Sequence, residues 1–141
     1  SMATSEGSFL ARRIDAAAAP LAVVDVVALS ATLTVGVINH NGVDYLTTNT
    51  AAWLLTLVPF LIGWAVASVP IGAYSAGAAE SAKAAIPLAV RAWVPAAVVG
   101  FALRASPLFA GGFSVVFGVV VFVIAGVALV AFRWLFFAVR T

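Results

Sequence analysis

The chain has 141 residues, 65% hydrophobic and 9% charged, with seven Lys+Arg against five Asp+Glu and a mean hydropathy of +1.19. A soluble domain carries about 25% charged residues, so a water-exposed surface is excluded and the chain reads as a small integral membrane protein. At about 20 residues per span, four spans leave no room for a second, aqueous domain. The absence of cysteine excludes disulfides, thiolate chemistry and Cys-based metal sites. A single histidine cannot build a multi-His site, so no metal and no cofactor are expected. The net charge of +2 is too weak a field for a nucleic-acid partner; the basic residues read as topology signals instead. Ser1 ahead of Met2 reads as a cloning remnant.

Four apolar runs follow in order, predicting helices at about residues 16–38, 51–74, 86–105 and 113–139 of a single domain, 1–141. The first is interrupted by Asp25 and closes on the turn signal Asn39-His40-Asn41-Gly42. The second holds Pro59 inside and Pro70 near its end. The third carries Arg91, Pro95 and Arg104. The fourth is the longest and most apolar. Continuous runs of more than 18 residues exclude the alternating ten-residue strands of a barrel. The length of the first run, with Asp25 in its middle, argues against a secretory signal. The fold class is therefore an all-α integral membrane four-helix bundle.

Lys and Arg set the expected orientation. Arg12 and Arg13, Lys83 with Arg91, and Arg133 with Arg140 alternate with a first loop that has Asp44 and no basic residue. Both termini are expected in the cytoplasm of a multi-pass cell-membrane protein. Arg104, at the outer end of the third helix, is the exception. Arg133 and Arg140 read as interfacial anchors, and the four tryptophans as partly an interface belt.

Asp25 lies ten residues beyond Asp15, roughly 15 Å along a helix and near the middle of a core about 30 Å thick. An acid there must be protonated, paired or facing a wet cavity. Arg91, roughly 7–8 Å deep, is close enough to snorkel and is one candidate partner. Ala18, Ala22, Asp25, Thr32, Gly36 and His40 share one arc of the first helix, the pattern of a helix–helix seam. Thr56, Gly63, Ala67, Pro70 and Tyr74 form a similar stripe on the second. Arg91, Pro95, Val98 and Ala102 share a face of the third, and Gly118, Phe122, Ala125 and Leu129 one of the fourth. Pro59 frees a backbone carbonyl one turn earlier, as a kink or as part of a binding element.

These residues, in this order, resemble a prokaryotic membrane family known as domain of unknown function 3054, met in haloarchaea and actinobacteria. The likeness runs from Arg13 to Trp134. It rests on Asp25 in the first helix and on Gly36-Val37-Ile38-Asn39-His40, which matches a Gly-x-x-x-His closing that helix. It continues in Gly63, Gly100 and the Leu103-Arg104 pair. A Trp-Pro-Phe element stands here as Val58-Pro59-Phe60, and a Trp-Arg element as Phe132-Arg133 with Trp134 on the other side. The resemblance implies a four-helix membrane protein and no assigned activity.

Three classes of function remain open. In the first, an oligomeric transporter or channel uses Asp25 as a proton or cation site, since four helices are few for a complete pathway. In the second, a membrane-embedded binding protein or enzyme takes an amphipathic, lipid-like ligand at the outer boundary. There His40 acts as acid, base or donor, Asp44 orients it, and Arg104 holds an anionic group. No spaced catalytic motif supports an enzyme. In the third, the chain is an assembly subunit. Asp25, His40, Arg91, Arg104, Pro59, Thr32 and Asp44 are the candidate binding or transport residues, and the bilayer, a second copy and a small ion or lipid-like ligand the candidate partners.

Overall fold

The computed structural model describes residues 9–140; Ser1, read above as a cloning remnant, lies outside the described residues. Four long helices make the molecule: α1 (Ala19–Asn41), α2 (Thr50–Ile71), α3 (Ala82–Ala105) and α4 (Val115–Ala138). At 1.5 Å per residue each is about 33–36 Å long, enough to cross a hydrocarbon core of about 30 Å.

Local chemistry sets their ends. Asp15 accepts from the Ala17 N–H at 2.8 Å and starts a 3-10 turn, Ala16–Ala18, which runs into α1 with Pro20 in the first turn, where its missing N–H costs nothing. Ser81 caps α3 by accepting from Ala84 N at 3.2 Å, and Ser114 caps α4 by accepting from Phe117 N at 3.2 Å. Gly72, at φ +89°, closes α2 in the left-handed conformation, its N–H returning to the Ser68 and Val69 carbonyls. The expected second helix therefore ends at Ile71, three residues before Tyr74, and α3 begins at Ala82, four before the expected start.

Each helix packs on its sequence neighbours, and α4 closes the ring on α1. The α2–α3 contact is the most extensive because small residues let the backbones approach. A Cβ at Gly63 would overlap the Ala96 carbonyl oxygen, and one at Gly100 would lie 2.6 Å from the Phe60 ring. Alanines 85, 89, 92, 96 and 125 are fully buried, whereas Val23, Val35, Val98, Val119 and Val127 are more than half exposed. Small residues inside and branched aliphatics outside is the arrangement lipid favours.

Three of the expected faces shift. On α1 the buried row is Leu21, Asp25, Ala28, Leu29, Leu33 and Val37, while Gly36 and His40 are exposed. The arc is rotated because large side chains fill the ring where small ones leave a gap. On α3 the face of Arg91, Val98 and Ala102 points outward, and the core is entered by Ala85, Ala89, Ala92, Trp93, Ala96 and Gly100. On α4, Gly118, Ala125 and Leu129 turn inward as expected, but Phe122 is 39% exposed.

The α2–α3 connection does not loop away from the bundle. Gly72, Ala73, Tyr74 and Ala78 are buried, so the turn dips between the helix ends. It is tied to the chain before α1 by a bridge between Ile14 and Tyr74 and by Asp15 N–H donating to the Tyr74 carbonyl at 2.8 Å.

Candidate functional site

Beneath that turn lie the two charges that are fully buried among the described residues, Asp25 from α1 and Arg133 from α4, each 0% exposed. Arg133 Nε donates to Asp25 Oδ1 at 2.9 Å and Nη2 to Oδ2 at 2.6 Å, the two-pronged geometry that a planar guanidinium offers a carboxylate. Its Nη1 donates to the Ala85 carbonyl of α3 at 2.7 Å, and Nη2 also reaches the Ala73 carbonyl of the turn at 3.3 Å. Tyr74 Oη donates to Asp25 Oδ2 at 2.7 Å and accepts from Trp64 Nε1 of α2. All four helices and the inserted turn thus meet at one pair of opposite charges.

The pair is neutral as a unit, and both carboxylate oxygens are occupied by donors. Burial first, and then the Asp25 carboxylate, push the Tyr74 hydroxyl above its ordinary value, so Tyr74 serves as a donor and does not ionise at neutral pH. The site lies toward one end of the bundle. Ala85 is three residues into α3 and Arg133 five before the end of α4, about 5–8 Å from those ends by helix rise. The expected mid-bilayer depth for Asp25 counts only along its own helix, and the inward-dipping turn brings the bundle end to it.

Arg133 is the residue that sequence reasoning misassigned. It is no anchor: it sits within the most apolar of the four helices and has no solvent exposure. The available signal was a basic residue seven positions before Arg140 with aromatic and aliphatic neighbours throughout. Of the stripe expected on the second helix, Gly63 and Ala67 are buried, Pro70 is exposed, and Tyr74 reaches the core from the turn beyond the helix end. Trp64 and Trp93, each 3% exposed, are core residues rather than belt members. Trp93 Nε1 donates to the Phe122 carbonyl at 2.8 Å.

The remaining candidates stand apart from this site. Arg91 is exposed. Thr32 donates to the Ala28 carbonyl of its own helix at 2.8 Å. Pro59 is buried in α2, beside Phe60 at the α2–α3 contact. His40 and Asp44 are exposed at the opposite end of the bundle, and among the described residues no hydrogen bond or ion pair joins them. Arg104 lies 4.3 Å over the Phe117 ring, with its buried Nε lacking a hydrogen-bond partner. Its guanidinium covers Gly111, where a Cβ would come within 2.5 Å of Cζ. No group of three or more His, Cys, Asp or Glu suited to a metal occurs among the described residues.

Four apolar membrane-length helices converging on a buried ion pair define a multi-pass helical membrane protein. The model of the family described as "Protein of unknown function (DUF3054)" matches residues 22–136. The chain belongs to that family, as the order of its motifs implied. No curated protein and no solved structure matches it.

Proposed function

We propose that this protein moves a proton or small cation across the cell membrane, as an oligomer with both termini in the cytoplasm, and that the Asp25–Arg133–Tyr74 cluster is its closed gate. The supporting observation is the cluster itself. A charge pair buried at this depth is costly relative to apolar side chains of the same volume, and ionisable groups inside membrane spans mark ion pathways by default. Its cover is a turn tied to the chain before α1 by the Ile14–Tyr74 bridge and the Asp15 N–H and to the charges below by Tyr74 and the Ala73 carbonyl, so opening breaks those bonds and requires no helix to unwind. A proton delivered to Asp25 weakens its hold on Arg133, which keeps the Ala85 carbonyl of α3 as a partner, and release of Tyr74 and Ala73 makes the carboxyl reachable from the turn side. The Lys/Arg distribution supports that side being cytoplasmic. An oligomer supplies the rest of a pathway that four helices alone do not enclose.

The test is flux into vesicles reconstituted with the full chain, loaded with a pH-sensitive dye and driven by an imposed membrane potential. Wild-type protein accelerates proton entry or is inhibited by a competing cation; Asp25→Asn abolishes flux, and Tyr74→Phe, which keeps the ion pair, alters its rate. Vesicles as tight as protein-free ones, or an Asp25→Asn variant as fast as wild type, refute the proposal.

A further inference from the structure

Two recesses on the outside of the bundle meet at Trp134. One, of about 590 Å³, runs between α3 and α4 with Val90, Trp93, Phe122, Gly126 and Val127 among its walls. It is almost wholly apolar, and the indole N–H of Trp93 is already spent on the Phe122 carbonyl. It extends from Ile86 to Val94 on α3 and from Phe122 to Trp134 on α4, about 12 Å and 18 Å by helix rise. Half of a hydrocarbon core of about 30 Å is about 15 Å, the depth of one acyl chain in one leaflet. The second recess begins where the first ends and is lined by Glu80, Ser81, Trp134, Phe137 and Arg140. Arg140 stacks 4.6 Å over Phe136, and among the described residues Glu80 forms no ion pair with Arg140 or Lys83.

We propose that this cleft is a specific site for one phospholipid with a phosphoethanolamine headgroup. An acyl chain fills the α3–α4 groove, Trp134 sits at the level of the ester groups, Arg140 takes the phosphate and Glu80 the ammonium. One positive and one negative side chain on the same rim complement a zwitterion. A purely anionic headgroup meets repulsion from Glu80, and a choline offers that carboxylate no hydrogen-bond donor, whereas an ammonium offers three. The site is separate from the buried ion pair and does not depend on transport.

The experiment titrates the purified full chain, in mild detergent, with phosphatidylethanolamine, phosphatidylglycerol and phosphatidylcholine and weighs retained lipid by native mass spectrometry. Phosphatidylethanolamine is expected at one per chain, preferred about tenfold, the scale of one charge-assisted contact. Val127→Trp, on the exposed wall of the groove, removes retention while the circular dichroism spectrum stays that of wild type. Glu80→Gln keeps retention but erases the headgroup preference. Equal retention of the three lipids, or retention untouched by Val127→Trp, overturns the proposal. So does rapid disulfide formation between chains carrying Val127→Cys, the sole cysteine of such a protein, because it would put a second copy in the groove.

Discussion

Removing one member of the buried pair tests the reading of the bundle most directly. In Arg133→Met, Asp25 loses the donors at 2.9 and 2.6 Å and keeps only Tyr74. The carboxylate then stands almost alone among the apolar side chains around Leu21, Leu29 and Leu129. In Asp25→Leu, Arg133 keeps the Ala85 and Ala73 carbonyls but has no counter-charge. Stranding a buried charge costs about 3–5 kcal/mol, and each single variant is expected to lose that much. The double variant removes both charges and leaves a packed apolar contact, so it should regain most of the loss and stand within about 1 kcal/mol of wild type or above it. The pairwise coupling is therefore about 5 kcal/mol or more, above the range of about 0.5–3 kcal/mol usual for neighbouring residues. The assay is reversible unfolding in mixed micelles with increasing denaturing detergent, followed by tryptophan fluorescence, since Trp64 touches the cluster through Tyr74. Single variants within about 0.5 kcal/mol of wild type, the scale of ordinary surface changes, would refute the argument that these charges are sealed from water.

Further expectations follow from the packing and from Tyr74. Gly63→Ala should destabilise by about 1–3 kcal/mol, because its Cβ meets the Ala96 carbonyl and rigid backbone must give way. Gly36→Ala, where nothing lies within 4 Å, should be neutral or stabilising by up to about 1 kcal/mol; thermal melts in detergent compare the two. Tyr74→Phe removes one donor and one acceptor and should cost about 1–3 kcal/mol, with a shift in Trp64 emission. The Tyr74 hydroxyl is raised in the folded chain above its ordinary 10.0, so the unfolded chain ionises first. That contribution to stability is intact below pH 10.0 and falls as pH rises above it. Melts between pH 9 and 11 should therefore fall less steeply for Tyr74→Phe than for wild type, and parallel slopes would count against a buried hydroxyl.

How much of this was legible beforehand differs from element to element. Four spans, their order and their approximate limits follow from composition alone, since a chain so poor in charge has no stable alternative to helices that satisfy their own backbone in lipid. Asp25 stood out for the same reason: an acid in a long apolar run needs an explanation whatever surrounds it. Its partner did not stand out. Arg133 lies 108 residues away, and a basic residue near a helix end reads equally well as an anchor or as half of a buried pair. Choosing between them requires knowing that α4 returns beside α1, and ring closure leaves no mark in local periodicity. Rotation of each helix was unreadable for a related reason. Small and large residues alternate around all four, so hydrophobicity has no strong direction, and only mutual packing decides which arc turns inward. The inward turn at residues 72–80 depends on tertiary contacts with residues 14 and 15 and on the carbonyls it supplies to a charge buried below it. The membrane-spanning class was thus determined by the chain's own chemistry. The identity of the ion pair, and the turn that covers it, were decided only when distant segments met and their polar groups had to find one another away from water.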